Sequence, residues 1–181
     1  ELVFKSYFHS FFKNKNSNVK VASSRAGNVI GGGDWARDRI IPDCMRAWSK
    51  SKVVEIRSPK ATRPWQHVLE PLSGYLNLGQ KLYQDENFNG ESFNFGPVSK
   101  FNHTVEDVIR DISRYWDIQD ISKVCKIMTD IKFNEAGLLK LNCDKALFHL
   151  KWLPTLNYNE LIEFTGTWYF NFYNKRLNMF D

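Results

Sequence analysis

Val19-Lys20-Val21-Ala22-Ser23-Ser24-Arg25-Ala26-Gly27-Asn28-Val29-Ile30-Gly31-Gly32-Gly33-Asp34-Trp35 is the stretch that decides the fold class. Val19 to Ala26 has the β-branched start and small-residue end of a buried strand, and the chain then runs into Gly31 to Gly33. Glycines at a strand end make either a flexible turn or a place where backbone approaches a ligand and leaves amides free. No Gly-Lys-Ser/Thr follows, which excludes a Walker-type phosphate loop. The spacing is also wrong for a dinucleotide-binding fingerprint.

Outward from this strand, helical and extended patterns alternate. Glu1 to Lys13 reads as the end of a helix, with Leu2, Val3, Tyr7, Phe8, Phe11 and Phe12 on related turns and no capping residue ahead, so the helix is expected to start upstream. Asn14 to Asn18 is a polar turn. After the glycines, Asp38 to Lys50 reads as a loop entering a helix that turns Ile40, Ile41, Met45 and Trp48 inward. Strands are expected at Val53 to Arg57, Trp65 to Val68, Glu91 to Phe95, near Lys126 to Asp130, and at Leu139 to Asn142. Ser58 to Arg63 reads as a turn. Helices are expected at Glu70 to Gln84 with Pro71 in its first turn, Val105 to Trp116 capped by Thr104, Asp144 to Leu150, and Asn159 to Asn174. Strand and helix in alternation predict an α/β fold with some parallel sheet.

Composition narrows the function classes. With 181 residues, 43% hydrophobic and 25% charged, the chain has ordinary globular composition, and no apolar run reaches the roughly 20 residues of a membrane span. Nothing at the start has the pattern of a signal peptide, so a cytoplasmic protein without a membrane partner is expected. Cys44, Cys125 and Cys143 are odd in number and never form a CxxC pair, which points away from zinc and disulfides and toward small buried groups. The net charge of +5 is spread along the chain rather than gathered into one basic stripe. Nucleic acid is therefore not an expected partner. An anionic small molecule, such as a diphosphate, suits the charge equally well.

Arg25 to Gly33 resembles the RxxNxxG segment of extended short-chain dehydrogenases/reductases, the NAD-dependent epimerase/dehydratase family. The run Arg25 to Asp43, with Asp34-Trp35 and Asp38-Arg39-Ile40-Ile41-Pro42, is similar to the CDP-glucose 4,6-dehydratase branch. Thr62-Arg63-Pro64-Trp65-Gln66-His67-Val68-Leu69-Glu70-Pro71-Leu72-Ser73-Gly74-Tyr75 extends the match. So do Phe93-Asn94-Phe95-Gly96-Pro97, Asn134 to Asn142, and the closing Asp144-Lys145-Ala146 with Leu150-Lys151-Trp152-Leu153-Pro154.

The resemblance implies the C-terminal part of such an enzyme: the last strands and helices of a Rossmann sheet, 1–31 and 64–97, and a smaller α/β substrate lobe, 32–63 and 98–181. It implies that Arg63 grips the diphosphate of a nucleotide sugar. A lone surface Arg is usually solvated, but its planar guanidinium can pair bidentately with phosphate oxygens. Asn28 and Asn94 are implied substrate contacts. Arg39 falls beside the nucleotide base, with the backbone amides of Ile40 and Ile41 reading it. Arg25 and Asn28 are implied to lie near the nicotinamide of NAD. Asn134 and Gly137 stand where relatives carry His, a departure at the nucleotide. Trp65 and His67 read better as core packing than as a stacking platform and a base, and the closing motif reads as structural.

The GxxGxxG turn, the YxxxK motif and the Thr plus Asp/Glu pair of the dehydratases are not in this sequence. No catalytic residue is assigned, NAD is expected to be held mainly by the missing part, and the chain alone is expected to be inactive. Two other readings stay open: a sibling acting on dTDP, GDP or UDP sugars, and a non-catalytic truncated binding module. The resemblance also implies a homodimer or homotetramer for the full-length enzyme. The aromatic face of Glu1 to Lys13 suits such an interface or, preferably, packing on the sheet.

Overall fold

The β-branched and aromatic segments do form strands, but short ones. The computed structural model describes residues 1–14, 18–98, 102–118, 120–128, 137 and 139–179. Among them, β1 (Ser23–Ala26) pairs in parallel with β6 (Ser92–Phe95), and β2 (Asn28–Ile30) in parallel with β5 (Trp65–His67). β3 (Val54–Ile56) runs parallel to β8 (Cys125–Ile127), while β4 (Thr62–Arg63) is antiparallel to β7 (His103–Thr104). Helices α1 (Leu2–Tyr7), α2 (Ile40–Trp48), α3 (Leu69–Gln84), α4 (Val105–Ser113), α5 (Ile121–Val124) and α6 (Tyr158–Phe170) complete the α/β pattern.

The expected strand Val19 to Ala26 begins only at Ser23, because the Asn89 side chain accepts from the Val21 amide at 2.9 Å and takes the place of a ladder bond. Gly27 then passes the chain from one ladder to the next. A Cβ at Gly27 would lie 2.5 Å from the Pro64 carbonyl oxygen, so only glycine lets the strand cross so close to the segment leading into β5.

Helix α2 buries Ile41, Cys44, Met45 and Trp48, spaced as one helical face, against β3. Ile40, expected inward as well, is only half-buried at the first position. Thr104 caps α4 as expected: its hydroxyl accepts from Asp107 N while the Asp107 carboxylate accepts from Thr104 N. Asn157 and Glu160 build the same box ahead of α6, which continues as a wider turn over Asn171–Lys175.

Two hydrophobic clusters result. One joins α2, β3, α4 and α6 around Ile41, Met45, Ile56, Ile109 and Tyr169; the other joins α3 and β6 to Ala146, Leu150 and Trp152. The closing motif is structural: the Trp152 indole donates to Ser73 Oγ at 2.9 Å, and Glu70 Oε1 accepts from the amides of Thr155 and Leu156.

Several expectations are corrected. Leu139 to Asn142 is not a strand. Its backbone is held instead by the Asn94 amide, which donates to Asn142 O at 2.9 Å, while the Leu141 side chain lies against Gly96. Thr62–Arg63, read as the end of a turn, is β4. The aromatic face of the first helix does not enter the core. Leu2, Val3, Tyr7 and Phe11 are exposed, while Phe4, Phe8 and Phe12 are half-buried, with Phe8 over Gly90. Part of the Asn14 to Asn18 turn, the end of the Lys126 to Asp130 strand, and Asn134 to Ala136 with Leu138 lie outside the described residues.

Candidate functional site

Parallel pairing of β2 with β5, and of β3 with β8, places the ends of β2 and β3 beside the N-terminus of α2. A cavity of about 650 Å³ opens there. Asn28 enters it from the start of β2, Ile40 and Ile41 from the first turn of α2, Arg39 from the residue ahead of that turn, and Arg63 from β4. Five residues named from the sequence thus line one space.

Each is held differently. Arg63 is half-buried, and its Nη1 donates to the Thr62 carbonyl at 2.9 Å. Arg39 Nη1 lies 3.1 Å from Asp34 Oδ2, and its side chain is mostly exposed. No side chain caps α2, so its first amides are left to other acceptors. The β4 and β7 ladder sets Arg63 opposite His103, whose carbonyl accepts from the Trp65 indole at 3.0 Å.

The glycine run ends β2 and leads into a loop that is pinned rather than loose. The Trp35 ring lies within 4.9 to 6.0 Å, centroid to centroid, of Trp168, Tyr169, Phe172 and Tyr173. The Tyr169 hydroxyl donates to Asp34 O at 2.7 Å, and Arg46 donates to the carbonyls of Trp35 and Ala36 at 3.0 Å each. Gly32 sits so tightly under Trp168 that a Cβ there would come within 2.2 Å of its ring. This favours close packing over the flexible-turn reading and positions the Asp34-to-Arg39 rim of the cavity. Trp35 stood in sequence only as part of the Asp34-Trp35 match, and Arg46 carried no signal beyond its residue type.

Arg25 and Asn94 do not line the cavity. They are register partners on β1 and β6. There Arg25 Nη2 contacts Glu1 Oε1 at 2.8 Å, and Asn94 bonds Asn142 with its amide nitrogen while its Oδ1 is buried without a partner. Gly137 lies near the rim: its carbonyl accepts from Thr62 N at 2.9 Å. Trp65 and His67 are buried. Burial pulls the His67 pKa down, the nearby Glu70 charge opposing it, and the ring meets Phe164 edge-on at 5.7 Å. Cys44 is fully buried, which pushes its thiol pKa up, and Cys143 is half-buried.

The described residues include no seat for the pyrophosphate of NAD. Among the described residues, the only glycine run that ends a strand leads into a loop covered by Trp168, not into a helix N-terminus that would seat a pyrophosphate. No group of three or more His, Cys, Asp or Glu among the described residues could hold a metal ion, and no helix is long and apolar enough to cross a membrane. A second cavity of about 300 Å³, lined by Asp111, Arg114, Tyr115, Tyr158, Asn159 and Ile162, holds none of the residues named above.

No family model matches the chain. The sequence is 42% identical over 172 residues to CDP-glucose 4,6-dehydratase of Salmonella typhimurium, covering 93% of this chain and 47% of that protein. The chain therefore spans about half the length of the curated relative it matches, and the resemblance read from its motifs holds along nearly all of it. Among solved structures, a dTDP-glucose 4,6-dehydratase from Streptomyces venezuelae with NAD bound superposes with a TM-score of 0.75 at 16% identity, over 93% of this chain and 47% of that one. The dTDP-glucose 4,6-dehydratase of Bacillus anthracis, in complex with NAD, gives 0.72 at 18% identity over 97% and 50%. UDP-glucuronic acid 4-epimerase of Bacillus cereus, in complex with UDP-glucuronic acid and NAD, gives 0.73 at 16% over 93% and 49%. The fold is that of nucleotide-sugar dehydratases and epimerases.

Proposed function

We propose that this chain is the nucleotide-sugar-binding portion of a cytoplasmic CDP-glucose 4,6-dehydratase, an NAD-dependent lyase that converts CDP-glucose to CDP-4-dehydro-6-deoxyglucose and water. The observation that carries this reading is the convergence of Asn28, Arg39, Ile40, Ile41 and Arg63 on one cavity, in a sequence 42% identical to such an enzyme. Arg63 takes the diphosphate through its planar guanidinium. The amides of Ile40 and Ile41, open at the start of α2, take acceptor atoms of the cytosine. Arg39 lies beside the base once released from Asp34, and Asn28 faces the sugar.

Arg25 and Asn94, side by side on β1 and β6, serve a neighbouring part of the site where sugar and nicotinamide meet. The oxidation and elimination steps and the main NAD contacts belong to groups outside these 181 residues. Residues 1–31 and 64–97 form Rossmann elements, and 32–63 with 98–181 form the substrate lobe. Both hydrophobic clusters pack across that boundary: Ile30 and Trp65 join the first cluster, and Ala146, Leu150 and Trp152 join Leu78, Phe93 and Phe95 in the second. The exposed apolar face of α1 suits a homo-oligomeric interface.

Calorimetric titration of the chain with CDP-, UDP- and dTDP-glucose tests the reading, together with mass spectrometry of CDP-glucose incubated with chain and NAD. CDP-glucose is expected to bind most tightly and to be recovered unchanged. Preference for UDP or dTDP sugars would transfer the assignment to a sibling enzyme, and loss of one water from the sugar would refute the division of labour.

A further inference from the structure

Resting on the reading that this cavity holds a cytidine-linked sugar, we infer that Glu55 is the residue that tells cytosine from uracil and thymine, by accepting a hydrogen bond from the amine at position 4 of the base. Glu55 is the middle residue of β3, the strand on which α2 packs. It lines the same cavity as Ile40 and Ile41. Its neighbours Val54 and Ile56 are buried in the first cluster, so the strand is fixed while the Glu55 side chain, alternating to the other side, stays outside the core and reaches the cavity.

The pyrimidines differ along one edge. Cytosine presents two acceptors, O2 and N3, and a donor, the 4-amine, whereas uracil and thymine present an N3–H donor and an O4 acceptor. The amides at the uncapped start of α2 are donors. Donors meet O2 of every pyrimidine equally, so a choice among the bases needs an acceptor at position 4. An ionised carboxylate only accepts: Glu55 bonds the amine of cytosine and repels O4 of the other two. The remaining carboxylates of the lining are less suited. Asp34 accepts from Ala36 N and pairs with Arg39, and Asp43 pairs with Arg46. Asp38 belongs to the exposed rim loop, with its backbone at φ 62°. Among the described residues Glu55 has neither an ion pair nor a side-chain hydrogen bond, its register neighbour Lys126 on β8 included.

The test is calorimetric titration of CDP and UDP into the wild-type chain and into Glu55→Gln, Glu55→Ala and Asp38→Asn, with thermal melts as a check on folding. Wild type is expected to bind CDP about tenfold or more tighter than UDP. Glu55→Gln should bring the two ligands close to equal affinity, because an amide can turn to accept from the amine or to donate to O4. It should do so partly by tightening UDP, a gain that a merely structural role would not produce. Glu55→Ala should weaken CDP without weakening UDP, and Asp38→Asn should keep the wild-type ratio. An unchanged CDP-to-UDP ratio in both Glu55 variants, a ratio that collapses only in Asp38→Asn, or an equal loss of both ligands together with a lowered melting temperature would overturn this inference and leave the proposed function standing. A wild-type chain that binds UDP as tightly as CDP, or binds neither, would overturn the reading beneath it.

Discussion

Arg63→Ala is expected to weaken CDP-glucose binding by about 10- to 100-fold, the loss that follows from removing a charge-assisted, bidentate contact worth ~1.5–3 kcal/mol. Arg63→Lys should recover only part of this, because an ammonium supplies charge without the planar fork. The side chain sits at the end of a two-residue strand, with its backbone fixed by β7 and the Trp65 indole donating to His103 O at 3.0 Å. Geometry around the mutation therefore stays in place, and the thermal midpoint should barely move. Calorimetric titration of both variants reads the affinity. A fall in affinity matched by a fall in melting temperature would trace the effect to structure instead.

Glu70→Ala is expected to be the most damaging single change to stability. Glu70 is only 4% exposed, and its Oε1 accepts from the backbone amides of Thr155 and Leu156. Removing the carboxylate strands two donors, each costing ~1–3 kcal/mol when left unsatisfied. It also loosens the clasp by which Trp152, through Ser73, ties the chain after Ala146 to α3. The melting temperature should fall by about 5–15 °C for a chain of this length. Glu70→Gln keeps an acceptor oxygen and should lose much less. Equal losses in the two variants would show that charge, not the acceptor, holds the clasp.

The helices were the legible part of this sequence. The Ile41, Cys44, Met45 and Trp48 spacing and the Thr104 cap each state a local rule that the tertiary structure obeys. The short strands were less legible, for a physical reason. β4 and β7 have two residues each, too few to show a period, and exist because each meets the other as its antiparallel partner. Leu139 to Asn142 shows the reverse, since a segment with strand composition is fixed by the Asn94 side chain and by packing of Leu141 on Gly96 rather than by a ladder.

The site shows the same division. Arg63, Arg39 and Asn28 were readable as motif positions, and the register of the parallel ladders brings them together. That register also sets Arg25 beside Asn94, away from the cavity. Arg46 was not legible, because an arginine within a helix means nothing until the chain shows what it faces; Trp35 was readable as a motif position, but not as the ring that anchors the loop on Trp168 and Tyr169. The exposed face of α1 was misread for a related reason. An amphipathic pattern says that a surface is apolar, not that this chain covers it.

Nitrogen-15 NMR, following the backbone amides of Ile40 and Ile41 and the Nε–H of Arg63 while CDP is added, tests most directly whether the cavity beside α2 is a nucleotide site. Saturable shifts are expected at all three, with one common dissociation constant, and none around Arg114 and Tyr158 in the second cavity. Shifts confined to that second cavity, or no saturable change at Ile40, Ile41 and Arg63, would contradict it.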